Sequence, residues 1–114
     1  MVSEFSELES QLEQYYRNVL VGFLIYELVE KDQLGAIIVL KQRSPILFED
    51  SIRMFNFVRH IYPSIHSVSV ISIGELKEKI TKADKKLKDF LENVVYIYDK
   101  NDELKNLILD AKKS

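Results

Sequence analysis

Val19-Leu20-Val21-Gly22-Phe23-Leu24-Ile25-Tyr26-Glu27-Leu28-Val29 is the stretch that decides the fold. It could continue a preceding helix or form a strand. It is rich in Val, Ile, Phe and Tyr and mostly apolar on both faces, which is the pattern of a strand buried in the middle of a sheet. Glu30-Lys31-Asp32-Gln33 follows as a polar turn, with Gly35 at its exit, and Ala36-Ile37-Ile38-Val39-Leu40 is a second short apolar run. Two such runs around a short polar turn predict a β-hairpin. A helix at residues 19–29 would remove the central strand and with it the sheet.

Working outward, Phe5, Leu8, Leu12, Tyr15 or Tyr16, and Val19 recur at three- and four-residue steps, predicting one amphipathic helix face. Ser3 or Ser6 can cap that helix, and Ser6 with Glu9 has capping-box spacing. Beyond the hairpin, residues 41–45 form a polar connection. Phe48, Ile52, Phe55, Val58 or Arg59, and Tyr62 repeat the helical spacing, and Pro63 stops it. Residues 67–73 alternate, with Val68, Val70 and Ser72 on one side, and predict a third strand.

Ser72-Ile73-Gly74-Glu75 is a second capping box. It opens a charged helix striped by Leu76, Ile80, Ala83, Leu87 and Leu91, with a break near Thr81. Residues 94–98 predict a short fourth strand. Asn101 or Asp102 is placed to cap a last helix with Leu104, Leu107, Ile108 and Ala111 inward. The helix between the second and third strands is a crossover, which makes those strands parallel. The expected architecture is α/β (α+β), a mixed sheet of three to four strands flanked by helices, in one domain over residues 1–114.

The 114 residues include 46% hydrophobic and 30% charged, enough for a core without cross-links, and the 3 Gly and 2 Pro argue against a disordered chain. The absence of Cys removes a disulfide scaffold, a thiol nucleophile and cysteine-built zinc sites. A net charge of −2 gives no overall electrostatic case for nucleic acid. Glu4, Glu7, Glu9 and Glu13 are the opposite of a basic signal-peptide start, and the apolar stretch at residues 19–26 is far too short to span a bilayer, so a cytoplasmic protein without a membrane partner is expected. The absence of Cys with many Ile, Val, Lys and Glu suits a hot environment.

No Walker-type loop fits around Gly22, Gly35 and Gly74. His60 and His66 are read as structural or exposed, because a two-histidine metal site calls for a carboxylate beside it. Tyr96 and Tyr98 share one strand face. They suit a stacking platform, but a helix-covered strand simply buries them. Lys77, Lys79, Lys82, Lys85, Lys86 and Lys88 alternate with acids at helical spacing, for example Glu75 with Lys79 and Asp84 with Lys88, and read as a solvated face. The sharper reading of those lysines is a phosphate-facing or partner-facing patch.

In order, these elements resemble a minimal nucleotidyltransferase domain of the DNA polymerase beta superfamily. Val19-Leu20-Val21-Gly22-Phe23 is similar to its first strand and glycine, residues 32–40 to its carboxylate strand, residues 67–76 to its third strand and following helix, and residues 93–99 to its closing strand. The resemblance implies three carboxylates holding two magnesium ions. At those positions stand Gln33, Gly35 and Ser67, and Phe23 replaces the expected serine. Asp32 lies nearby, but one carboxylate cannot hold two hard cations. What the resemblance implies is therefore a relative with no catalytic residues, no metal and no cofactor, acting through protein contact or as a homodimer. Phe23 and Leu34 are expected to fill the former cleft, and Gly35 to occupy a turn that favours positive φ. The alternative is a residual nucleotide- or nucleic-acid-binding module using Lys41, Arg43, Arg53 and Arg59 around that cleft. The homodimer expectation rests on the apolar helix face starting at Phe5 and on Tyr15-Tyr16, more apolar surface than one small sheet must cover.

Overall fold

The structure, a computed structural model, describes residues 5–28, 33–42, 47–82 and 85–113. The elements run α1 (Ser6–Tyr16), a 3-10 turn (Arg17–Val19), β1 (Leu20–Glu27), β2 (Leu34–Leu40), α2 (Leu47–Ile61), β3 (Ile65–Ser72), α3 (Ile73–Thr81), α4 (Lys85–Glu92), β4 (Val94–Asp99) and α5 (Glu103–Lys113). The sheet order is β3-β2-β1-β4. β1 is antiparallel to β2 and to β4, and β2 is parallel to β3 across the α2 crossover.

The decisive stretch is a strand, and seven of its eight residues are buried. Both faces of β1 are used, so its side chains divide between two apolar layers. Leu20, Phe23 and Ile25 meet Leu8 and Leu12 of α1 and Met54 and Val58 of α2. Val21, Leu24 and Tyr26 meet Leu76 of α3, Leu87 and Leu91 of α4, and Leu104 and Ile108 of α5. Burying a side chain of this size contributes roughly 1.5–3 kcal/mol, so the two layers together hold the sheet between its helices.

Several local expectations change in the tertiary setting. Phe5, not a serine, stands at the cap position of α1 and makes no side-chain cap bond, while Ser6 is already helical. Ser3 lies outside the described residues. Phe5 is instead buried between the rings of Tyr62 and Tyr96, at 5.0 and 4.9 Å, so packing holds this end of the helix. The inward stripe of α2 is Met54, Phe57, Val58 and Ile61, and Ile52 is 56% exposed. The stripe is rotated because Ser51 is needed inward: its Oγ accepts the Val70 N–H of β3 at 3.0 Å. Ser72 does cap α3, accepting the Glu75 N–H at 3.1 Å. For α5 the side-chain acceptor is neither Asn101 nor Asp102 but Asp99, whose Oδ2 takes the Lys105 N–H at 2.8 Å. The charged segment breaks after Thr81, as expected, while Ala83 and Asp84 lie outside the described residues.

The homodimer argument from α1 is not supported by its packing. Phe5, Leu8 and Leu12 are consumed by the sheet, and Tyr15 leans on Tyr16 and Phe57 of its own chain. Among the described residues no helix is long and apolar enough to cross a membrane.

Candidate functional site on the sheet

The site implied by the resemblance falls on β1, β2 and β3. Tyr26 of β1 pairs with Gly35 of β2, and Gly35 pairs with Ser67 of β3, so the three form one row across the sheet. Gly35 lies within β2 with ordinary φ, since no glycine here has positive φ, and the expected turn conformation is corrected. The reason for glycine is steric. A Cβ at Gly35 would land among the ring carbons and hydroxyl of Tyr26. The Tyr26 ring lies over Gly35, stacks on Phe90 with centroids 4.5 Å apart, and is 2% exposed. Its hydroxyl is hydrogen-bonded to Ser67, and burial raises its pKa while the Ser67 bond lowers it in part. The space beside Gly35 and Ser67 is thus taken up by a phenol from the neighbouring strand.

Gly22 and Phe23 lie elsewhere. The hairpin pairs Gly22 with Val39 and Phe23 with Ile38, four and three residues along β2 from Gly35. At ~3.4 Å per residue this separates Gly22 from the Gly35 row by about 14 Å. Phe23 also points into the opposite layer, where its ring meets Tyr96 at 5.9 Å and Tyr98 at 5.4 Å. Leu34 joins that same layer. Phe23 and Leu34 therefore fill the α1/α2 core rather than a cleft beside Gly35. Gly22 is close-packed for its own reason: a Cβ there would run into the backbone carbonyl of Tyr98.

The basic residues do not converge on the row. Lys41 follows the far end of β2, its N–H donating to the Val19 carbonyl at 2.8 Å. Arg53 donates to the Tyr15 hydroxyl at 3.2 Å, and Arg59 lies over the Phe55 ring at 5.7 Å. Both belong to α2, on the side of the sheet opposite Tyr26. Gln33 is half-buried, and its carbonyl closes the hairpin by accepting the Leu28 N–H at 3.0 Å. Asp32 and Arg43 lie outside the described residues. His60 and His66 are exposed. No group of three His, Cys, Asp or Glu positioned to hold a metal occurs among the described residues. The six lysines of α3 and α4 are exposed, with Lys82 paired to Glu78 at 2.8 Å and Lys77 to Glu103 at 3.6 Å, contacts of little individual stability.

Tyr96 and Tyr98 pack against Phe23 rather than forming an open platform. The Tyr98 hydroxyl donates to Glu13 Oε1 at 2.9 Å, and Lys100 Nζ reaches the same oxygen at 3.3 Å, fastening β4 to α1. Burial first, then the Glu13 hydrogen bond and the charges of Glu13 and Glu9, push the Tyr98 phenol up to about 12 from 10.0. A folded pKa above the unfolded one means that the folded state holds this proton more tightly. The stabilisation is complete below pH 10 and is lost as pH rises toward about 12. Thermal midpoints followed through that window are expected to fall less steeply for Tyr98→Phe, which keeps the ring contact with Phe23. Tyr26, also raised by burial, retains its own share of the alkaline decline in both proteins. Equal slopes for parent and variant would count against the Tyr98–Glu13 contact.

Sequence reasoning missed Tyr26, the residue that defines this site. The signal was present: counting back from the hairpin turn sets an aromatic residue opposite a glycine, a pairing in which the ring covers the missing side chain. Comparison of the chain with protein-family models, with curated proteins and with solved structures gives no match.

Proposed function

We propose that this chain is a non-catalytic, nucleotidyltransferase-like domain that acts through protein–protein contact. The observation that carries the reading is the Tyr26 ring lying over Gly35 and bonded to Ser67. The parallel pairing of β2 and β3 sets Gly35 beside Ser67, as the resemblance requires of the carboxylate positions. There the row offers a phenol, a hydroxyl and a bare backbone, and hard divalent cations require several oxygen ligands, carboxylates foremost. Gly22, within β1, and the Gly35 row, neighbours in an active enzyme of that kind, stand at opposite ends of the hairpin. What remains for such a domain is contact.

Calorimetric titration with each nucleoside triphosphate in magnesium is expected to give no heat of binding, and incubation with labelled triphosphates no transferred label. Magnesium-dependent binding lost in Arg53→Ala or Arg59→Ala would establish the residual nucleotide module instead. Magnesium-dependent transfer would overturn both readings.

A further inference from the structure

α1 takes no part in strand pairing, so the sheet can keep its ladders when α1 leaves it. Among the described residues α1 is joined to the sheet only through the turn Arg17–Val19. That turn starts on a strained residue. Arg17 has φ 51° and ψ −124°, the backbone of the first central residue in a type II′ turn, which glycine usually fills. A side chain on such a backbone is held there only where the surroundings fix it. Asp102 is the other non-glycine residue with positive φ among the described residues, and aspartate is a residue type that tolerates it. Arg17 is fixed from both sides. Its N–H donates to the Glu13 carbonyl, and its own carbonyl accepts from the Leu20 N–H and from Lys100 Nζ, the latter at 3.3 Å. The contacts that hold α1 down all reach to other elements. Phe5 sits between Tyr62 and Tyr96, Leu8 and Leu12 are buried on the sheet, and Glu13 Oε1 takes the Tyr98 hydroxyl at 2.9 Å and Lys100 Nζ at 3.3 Å.

We propose that α1 exchanges between two copies of this chain, each helix lying on the sheet of the other. This names the contact left general in the proposed function and rests on that reading. No exposed patch recruits the second copy, because the apolar face of α1 is spent on a sheet in both forms. The groove itself selects the occupant. It already accepts a phenyl ring between Tyr62 and Tyr96 and a carboxylate against Tyr98 and Lys100, and the α1 of a second copy brings the same groups. Those contacts cancel between the closed and the exchanged forms, so the hinge decides. Short hinges under strain invite such exchange. In the closed chain Arg17 must turn α1 back over its own sheet. In the exchanged pair the turn opens to extended backbone, which arginine adopts without strain, and two hinges are relieved at once. The closed chain is favoured in return by its tether, which acts as a local concentration in the millimolar range. Relief of two hinges sets the dissociation constant below that, between micromolar and millimolar. Reciprocal exchange fills both grooves and closes the assembly at two copies.

Sedimentation equilibrium after long incubation, from micromolar to millimolar chain, tests this. The parent is expected to pass from one chain mass to two. Arg17→Gly removes the strain from the closed form and should raise the dissociation constant roughly tenfold or more, since the strain counts twice in each pair. Arg17→Ala keeps a Cβ on the same backbone and should stay close to the parent. Glu13→Gln weakens a contact common to both forms, so it should leave the dissociation constant near the parent value and speed the return to one chain mass after dilution. The exchange itself is read by a zero-length carbodiimide cross-link between Glu13 and Lys100, in contact at 3.3 Å. Chains labelled with light and heavy nitrogen are mixed before incubation and separated by size after cross-linking. Glu13–Lys100 links joining light to heavy chains are expected in the dimer fraction, and links within one isotope alone in the monomer fraction. A monomer at every concentration overturns the proposal. So does a dimer whose Glu13–Lys100 links never join light to heavy, one that Arg17→Gly leaves as tight as the parent, or one that Glu13→Gln abolishes. None of these outcomes touches the nucleotide titrations, so the two readings fail independently.

Discussion

Gly35→Asp is expected to unfold most of the protein, with or without magnesium. Even Gly35→Ala must displace the Tyr26 ring, and overpacking of a filled core costs about 1–3 kcal/mol. Aspartate adds a carboxylate against a buried ring, where an unpaired charge costs several kcal/mol more. Adding Gln33→Asp deepens the loss through repulsion between nearby carboxylates. Urea titration of Gly35→Ala alone and in a Tyr26→Leu background separates the causes. If the ring is the obstacle, the cost of the added methyl falls by half or more once the ring is gone. An unchanged cost would place the obstacle elsewhere. Gly22→Ala is the contrasting case, since its obstacle is the Tyr98 backbone carbonyl and no side-chain replacement relieves it. Stability that rises with magnesium in the Gln33→Asp, Gly35→Asp double variant would reinstate a metal cleft.

Phe23→Ser carries the second large effect. In the family resembled, serine follows the glycine and faces phosphate. Here Phe23 is fully buried between Tyr96 and Tyr98 beneath α1 and α2. Removing a buried phenyl ring costs about 3–5 kcal/mol, and leaving a hydroxyl without a partner in that layer about 1–3 kcal/mol more. Against a total stability of about 5–15 kcal/mol for a domain of this kind, the variant is expected to be largely unfolded at room temperature. Phe23→Leu, nearer in volume, should lose far less. Near-native chemical denaturation of Phe23→Ser would show that position 23 faces solvent and that the core is wrongly placed.

The fold is more legible in the sequence than the site, and the residues show why. Gln33, Gly35 and Ser67 lack carboxylates, and that is visible in one chain without any geometry. What filled the vacated row was not, because Tyr26 lies nine residues from Gly35 and forty-one from Ser67 in sequence. Aligned apolar runs say which strands exist, not which residues pair, and so they group Gly22 with the same site. Charge alone groups Lys41, Arg53 and Arg59, although the sheet separates α2 from the row.

By itself the sequence determined the order of the four strands and of the helices around them, though not the 3-10 turn at Arg17–Val19. Residues 19–29 are apolar on both faces and β-branched, which a surface helix cannot accommodate. Ser72 followed by Glu75 starts α3, and Pro63 cannot continue α2. These are local steric and hydrogen-bonding constraints, carried by neighbours in the chain. Tertiary structure alone decided the register and the faces. A one-residue slip in a strand moves every side chain to the other side. Registers fixed by both layers therefore set Tyr26 over Gly35, turned α2 to offer Ser51 to β3, handed the α5 acceptor role to Asp99, and put β4 at the edge of the sheet. Each of these pairs residues distant in sequence, and only their packing in space brings them together.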